Sequence, residues 1–155
     1  MVITLQEEIK QTKPFSSLEQ EAHLSVIRTA AILADEVDQF LKPYGLTGTQ
    51  YNVLRILRGS EPGGLCRNEV RDRMLTRMPD MTRLLDRMEE AGLIVRSRER
   101  DDRRMVSTRI SAEGQRLLAE IDEAVQTRHK SRFSGLSESE LRAVIEILAK
   151  VRQSG

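Results

Sequence analysis

Residues 70–118 constrain the fold more than any other part of this chain. The segment starts with a helical pattern that is dense in arginine and is followed by Gly92. Two short β-prone runs come next, at residues 93–98 and 105–110, with a charged turn between them. The pattern predicts an arginine-rich helix beside a two-stranded hairpin. Basic side chains on such a pair of elements match the grooves and phosphates of duplex DNA.

The charges of the chain are unevenly placed although they nearly cancel. The 155 residues carry 25 Lys+Arg and 24 Asp+Glu, a formal net charge of +1. Residues 65–116 hold 13 basic and 10 acidic residues, against 6 and 8 before them and 6 and 6 after them. All 13 are arginines, whose planar guanidinium pairs with phosphates and guanine edges. A GC-rich gene would also favour arginine over lysine, but it would not cluster the arginines.

Length and composition indicate a single domain without a membrane span. A chain of this length with 39% hydrophobic residues can bury a core as one compact domain with helical extensions. No apolar run approaches the roughly 18–20 residues that span a bilayer, and the first residues lack the order of a signal peptide. The single cysteine, Cys66, excludes an internal disulfide framework and a cysteine-rich zinc site. We therefore expect a cytoplasmic protein.

Helix signals frame the arginine-rich segment on both sides. Three capping boxes, each a Ser or Thr followed three residues later by Gln or Glu, mark helix starts at Ser17, Thr47 and Ser137. A short helix is predicted over residues 66–74, another over residues 79–90 with Pro79 in its first turn, and a long helix after Ser111. The order is helix, helix, short helix, helix, hairpin, long helix, helix.

Several motifs follow one another at fixed spacing in this chain. They are Leu46, Thr47, Gln50, Tyr51 and Leu54 before the arginine-rich helix, residues 82–93 within and after it, Asp102 and Arg104 in the hairpin turn, and Ser111 with Gly114 at the next helix start. In this order the motifs resemble the MarR family of winged-helix transcriptional regulators. The resemblance covers about residues 20–152.

The resemblance implies a mainly α fold with a small β-hairpin, a winged helix-turn-helix flanked by N- and C-terminal dimerisation helices. The whole chain, residues 1–155, would be one unit, with the DNA-binding region at residues 46–114 and dimerisation helices at residues 17–42 and 115–152. The apolar stripes of the terminal helices exceed what one small winged helix can cover. A second copy would cover them and set two recognition helices roughly 34 Å apart. The alternative is that the terminal helices fold back as a monomeric bundle.

The same resemblance identifies the recognition helix and the wing. Candidates for base and phosphate contact on the helix are Arg77, Asp80, Met81, Thr82 and Arg83, with Arg87 further along. Candidates in the hairpin turn are Arg100, Arg103 and Arg104, of which Arg104 occupies the family's arginine position. Asp102 is expected to orient the wing by pairing with an arginine. An ordinary solvated, charged helix face is the alternative reading.

Other roles have less support in the sequence. His23 and His129 lie on different predicted helices without neighbouring ligands, so no metal, cofactor or catalytic triad is expected. The resemblance implies a small aromatic or phenolic effector in a cleft between the dimerisation helices and the winged helix. Tyr44, Tyr51 and His23 could line such a cleft, and core packing is the alternative for these side chains. Cys66 starts a predicted helix and is the one candidate for oxidant sensing; a plain structural role is the alternative.

We therefore expect a homodimeric DNA-binding regulator, most simply a repressor of a pseudo-palindromic operator, and not an enzyme. One competing hypothesis is a winged-helix module for protein–protein interaction, in which the arginines are incidental. An enzyme of unassigned chemistry is the other, and a deep polar pocket with perturbed carboxylates would favour it.

Overall fold

The computed structural model describes residues 1–102 and 104–155, so the predicted wing contact Arg103 lies outside the described residues. The described elements are α1 (Leu5–Glu8), α2 (Leu18–Leu41), a 3₁₀ turn (Lys42–Tyr44), α3 (Gly48–Arg58), α4 (Arg67–Arg73), α5 (Met81–Glu90), β1 (Ile94–Arg98), β2 (Val106–Ile110), α6 (Ala112–Arg132) and α7 (Glu138–Gln153). The predicted fold class, mainly α with a small hairpin, is confirmed.

Polar residues cap the helices at the predicted positions. Thr47 and Ser137 each form a complete capping box, in which the hydroxyl and the side chain three residues later satisfy each other's backbone N–H groups. Ser17 forms half of one, because its hydroxyl accepts the N–H of Gln20 at 3.1 Å. The Gln20 side chain accepts the N–H of Ser16 instead, at 2.7 Å. All three predicted helix starts are therefore confirmed, although Ser17 lacks the reciprocal bond of a complete capping box.

The structure differs from the sequence prediction in one additional helix and in one helix start. The short helix α1 was not predicted, although Thr4 and Glu7 form the same type of capping box. Helix α5 begins two residues after Pro79, because Asp80 is the N-cap and its carboxylate accepts the N–H of Arg83 at 3.1 Å. Pro79 therefore precedes the cap and is not part of the first turn.

One hydrophobic core joins α2, α3, α5, α6 and the base of the hairpin. Its fully buried large side chains include Leu41, Leu54, Leu57, Leu85, Met88, Ile94, Leu118 and Ile121. Helix α7 contributes no buried residue. No helix in the described part of the chain has both the length and the apolar character that a membrane crossing requires.

The hairpin is antiparallel and is fixed to the body at its base. Its register pairs Ile94 with Ile110 and Arg96 with Thr108. Gly92, with a φ of 75°, ends α5 in the left-handed conformation and turns the chain into β1. Thr108 also exchanges two backbone hydrogen bonds with Leu65, at 2.7 and 3.0 Å, which adds an isolated bridge that the sequence did not predict.

Candidate DNA-binding surface and adjoining cavity

Helix α5 separates its arginines from its apolar residues. Arg83 and Arg87 are exposed, one helical turn apart. On the opposite face, Leu85 and Met88 are 1% and 0% exposed. The predicted division of this helix into a polar and a packed face is confirmed.

Two candidate contacts on α5 have other tasks in the structure. Met81 is 4% exposed and belongs to the core, so the prediction that it contacts DNA is wrong. The reason is its position on the stripe that continues to Leu85 and Met88. Asp80 is exposed, but its carboxylate caps α5. It sets where the recognition helix begins.

The hairpin turn is organised by Asp102. Its carboxylate accepts the backbone N–H of Arg104 at 2.9 Å, and its carbonyl accepts the N–H of Met105 at 3.0 Å. Within the described residues, Asp102 thus shapes the turn through backbone N–H groups, and its predicted pairing with an arginine side chain stays a prediction. Arg100 and Arg104 are both exposed.

Ion pairing distinguishes the predicted DNA-contact arginines from several other arginines of the chain. Those that the sequence assigns to DNA contact and the structure describes form no ion pair with any described carboxylate: Arg77, Arg83, Arg87, Arg100 and Arg104. Several arginines elsewhere are paired, for example Arg109 with Glu61 at 2.6 Å and Arg58 with Asp122 at 2.7 Å. Others outside the predicted set form no ion pair among the described residues either: Arg67, Arg73, Arg98, Arg128 and Arg152. Exposed guanidinium groups without an ion-pair partner among the described residues therefore lie on and before α5 and at the hairpin turn.

A cleft of about 320 Å³ lies between the start of α4, α5 and the hairpin. It brings together Thr82 and Arg104, which the sequence predicts, with Arg67, which it does not. The Arg67 Nη1 donates to Thr82 Oγ1 at 2.8 Å. Cys66, half-buried, also lines the cleft; its backbone N–H donates to Glu69, which lowers the pKa of that carboxyl.

Arg96 ties the hairpin to the recognition helix. Its Nη2 donates to Asp86 Oδ1 at 2.6 Å and to Glu89 Oε1 at 2.9 Å, and its side chain is 22% exposed. The hydrogen bond between Arg96 and Glu89 raises the pKa of Arg96 and lowers that of Glu89. The sequence shows Arg96 only as one more arginine of a strand.

A second cavity, of about 500 Å³, lies between α2, α3 and α6. Its apolar wall includes Val37, Phe40, Ile56 and Val125, and its polar lining includes Asn52, Arg55, Gln126, Arg128 and His129. The guanidinium carbon of Arg128 stands 4.7 Å from the centre of the Phe40 ring. Of the three side chains predicted here, Tyr51 lines the cavity. Tyr44 and His23 do not; Tyr44 packs on Phe40 with ring centres 5.8 Å apart.

This cavity shares a wall with the turn that leads into the recognition helix. Leu75 lines the cavity and also follows α4 in the turn before α5. Its backbone N–H donates to Asn52 Oδ1 at 2.9 Å, and its side chain is 87% exposed. One hydrogen bond therefore joins the cavity wall on α3 to the turn between α4 and α5, the two helices of the helix-turn-helix.

A bidentate ion pair fixes α3 to α6. Arg58 donates to both oxygens of Asp122, at 2.7 and 2.9 Å, and Arg55 lies 3.7 Å from the same carboxylate. The hydrogen bond from Arg58 lowers the pKa of Asp122.

Among the described residues, no three His, Cys, Asp or Glu side chains are grouped so as to hold a metal ion.

A helix-turn-helix whose second helix exposes arginines, followed by a charged two-stranded wing, defines the class of winged-helix DNA-binding proteins. Comparison with known proteins agrees. The sequence model of the MarR family matches residues 44–105. A MarR transcription factor of Planctomyces limnophilus, solved by crystallography, is 33% identical, with coverage of 88% of this chain and 98% of that chain and a TM-score of 0.67.

Two further proteins are similar over most of the chain. The HTH-type transcriptional regulator FarR of Neisseria gonorrhoeae is 26% identical over 138 residues, 89% of this chain and 93% of FarR. The crystal structure of NadR in complex with 4-hydroxyphenylacetate is 25% identical, covers 91% of this chain and 99% of NadR, and has a TM-score of 0.70. This chain belongs to the MarR family of DNA-binding transcriptional regulators.

Proposed function

We propose that this chain is a homodimeric repressor that binds a pseudo-palindromic operator and leaves it when an aromatic acid or phenol occupies the cavity between α2, α3 and α6. The division of the arginines carries the proposal. Guanidinium groups such as those of Arg83 and Arg104 stand exposed without a carboxylate partner among the described residues, while Arg58 and Arg109 are neutralised by ion pairs. Such a regulator works in the cytoplasm, where it meets the DNA.

In this proposal α5 enters the major groove and the hairpin follows the adjacent minor groove or its phosphates. The contacts come from Arg77, Thr82, Arg83, Arg87, Arg100 and Arg104, with Arg103 as a sequence-based candidate and Asp80 and Asp102 in supporting roles. Arg67 joins this set, because it holds the hydroxyl of Thr82 as an acceptor and leaves the Thr82 O–H free to donate to DNA.

The homodimer is supported by the terminal helices. On α7, Ile145, Ile147 and Val151 are 68%, 57% and 59% exposed, and on α2, Ile27 is 53% exposed. A row of exposed aliphatic side chains on a 16-residue helix that buries nothing favours a partner surface over a monomeric bundle. A two-fold axis through these helices would present two recognition helices to a palindromic site. Residues 17–42 and 115–152 would then be the dimerisation helices around the DNA-binding region, residues 46–114.

The effector proposal uses the chemistry of the cavity. Its volume of about 500 Å³ suits a small molecule. An aromatic body would pack against Phe40 and Ile56, and an acidic group would pair with Arg128. The complex of NadR with 4-hydroxyphenylacetate, which has both a carboxylate and a phenol, supports this ligand class. A ligand that displaces Leu75 from the cavity wall would move the turn before α5.

DNA binding is tested by fluorescence anisotropy with a labelled duplex from upstream of the protein's own gene, at several salt concentrations. We expect the logarithm of affinity to fall linearly with the logarithm of salt. Arg83→Ala should weaken binding by about 5- to 100-fold, the size of a lost base or phosphate contact. Arg116→Ala, which removes one arginine paired with Glu113 on α6, is the matched control and should change little.

If Arg83→Ala and Arg104→Ala both leave DNA affinity unchanged, the protein–protein interaction module becomes the better reading.

Ile145→Lys tests the dimer by sedimentation, since a charge on the exposed face of α7 should shift the mass toward the monomer. Unchanged mass would refute the interface.

The effector is tested by calorimetry with a panel of aromatic acids that starts with 4-hydroxyphenylacetate. We expect binding that Arg128→Ala weakens at least tenfold, as for a lost charged hydrogen bond of about 1.5–3 kcal/mol. Arg132→Ala, on the same helix and paired with Glu36, is the control. Absence of any Arg128-dependent binding across the panel would contradict the ligand class.

A further inference from the structure

Arg96 connects two parts of the molecule that have to meet DNA together. It lies in the middle of β1, opposite Thr108 of β2, and its guanidinium reaches across to two carboxylates of α5. Asp86 and Glu89 are one helical turn apart on that helix, so a single Nη2 bridges them at 2.6 and 2.9 Å. The Arg96 side chain is 22% exposed, whereas those of Asp86 and Glu89 are 51% and 42% exposed, so only the arginine end of these links is shielded from water.

The other polar attachments of the hairpin go elsewhere. The backbone bridge of Thr108 leads to Leu65, and the ion pair of Arg109 leads to Glu61, both before α4. In the described part of the chain, the ion pairs between hairpin and α5 are those of Arg96. They act beside the backbone hydrogen bond from the N–H of Leu93 to the carbonyl of Met88 at 3.0 Å, which joins the start of the hairpin to the end of α5.

The hairpin turn itself is held only by its own hydrogen bonds among the described residues. The N–H of Glu99 donates to Met105, and the N–H groups of Arg104 and Met105 donate to Asp102. The cleft of about 320 Å³ separates this turn from α5. The direction in which Arg104 points thus depends on how the strands leave the body.

We propose that Arg96 is a positioning residue for DNA binding, which clamps the wing to the recognition helix so that Arg83 and Arg104 reach the duplex at the same time. This rests on the proposed function, in which both arginines contact DNA. Two contacts on one rigid body cost less ordering entropy than two that move independently. A loose wing would have to be ordered at each binding event, and its arginine would contribute less.

The decisive variant is Asp86→Asn combined with Glu89→Gln. It removes two negative charges from the basic face, so simple electrostatics predicts tighter DNA binding. Loss of the clamp predicts the opposite, a weakening of about 3- to 10-fold for a broken coupled network. The matched control is Glu113→Gln with Glu120→Gln, which removes the same charge from two carboxylates that hold Arg116 on α6. The control should bind DNA as tightly as the unmodified protein, or more tightly.

A double-mutant cycle with Arg104→Ala shows whether the effect passes through the wing. In the unmodified protein this substitution should reduce the salt slope by about 0.9, as for one lost phosphate contact. In the variant with Asp86→Asn and Glu89→Gln, the same substitution should change affinity and slope much less. A purely structural role for Arg96 would lower the melting temperature without this non-additivity.

Each outcome is decisive. Equal losses from Arg104→Ala in both backgrounds, or tighter DNA binding by the carboxamide variant, would overturn the clamp. No loss from Arg104→Ala in the unmodified protein would refute the wing contact of the proposed function, and the clamp with it. Glu89→Gln alone keeps the ion pair between Arg96 and Asp86, so it should weaken DNA binding less than the double variant does. This single variant replaces the double variant if the latter is unstable. Circular dichroism at equal protein concentration verifies folding.

Discussion

The joint between the wing and α6 leaves no room for a side chain at Gly114. This residue lies in the first turn of α6, where its N–H donates to the cap hydroxyl of Ser111 at 3.0 Å. A Cβ built on Gly114 would collide with the carbonyl oxygen of Leu93 and would stand 2.8 Å from Cγ1 of Ile110. The first neighbour is backbone, so relief requires the helix or the strand entry to shift. We therefore expect Gly114→Ala to destabilise the protein.

The magnitude follows from two opposing effects. Overpacking of this kind costs about 1–3 kcal/mol. Alanine gains about 0.5–1 kcal/mol over glycine within a helix, which offsets part of that cost. The net loss in the free energy of unfolding is then about 0.5–2 kcal/mol. For a chain of this size it corresponds to a drop of roughly 1–8 °C in Tm.

The assay is urea and thermal unfolding followed by circular dichroism, at one protein concentration because association would shift the apparent stability. Gly135→Ala is the matched control, since a Cβ there meets no atom within 4 Å. The control should be neutral or slightly stabilising, because alanine restricts the unfolded chain. The steric reasoning is refuted if Gly114→Ala is as stable as Gly135→Ala.

Two further predictions use other features. Gly92→Ala should lower the free energy of unfolding by about 1–2 kcal/mol, because φ is 75° at this position and an alanine is strained in the left-handed conformation. No neighbour lies within 4 Å of an added Cβ, so steric overlap contributes nothing to the loss. Equal urea midpoints for the variant and the unmodified protein would argue against this. Asp122→Asn should lose about 0.5–1 kcal/mol at pH 7, since its lowered pKa stabilises the fold above the ordinary value of about 4. That difference should shrink as the pH falls below about 4 and the carboxyl becomes protonated, and a difference that is as large at pH 3 as at pH 7 would exclude the Arg58 pair as its source.

Much of the architecture follows from local chemistry that the sequence displays. Thr47 and Ser137 begin helices because a hydroxyl and a side chain three residues later satisfy free N–H groups, and such signals need no tertiary information. The burial of Met81 could also have been predicted. It stands four and seven residues before Leu85 and Met88, on one helical stripe.

The features that the sequence did not reveal depend on contacts between distant elements. Arg96 is one of many arginines until folding brings it to Asp86 and Glu89. The cavity residue Arg128 meets Phe40 only when α6 crosses α2. The bridge between Leu65 and Thr108 spans the whole helix-turn-helix, so neither strand periodicity nor turn chemistry indicates it.

The basic residues of α5 and the hairpin are all arginines. The lysines of the chain lie elsewhere, at Lys10, Lys13, Lys42, Lys130 and Lys150. Enzymes that acetylate lysine therefore have no substrate on this surface, and guanidinium groups keep their charge at any physiological pH. Amine-directed acylation of the purified protein should spare DNA binding, whereas arginine-directed dicarbonyl reagents should abolish it. A change in the acetylation state of the cell would leave the charge of this surface as it is.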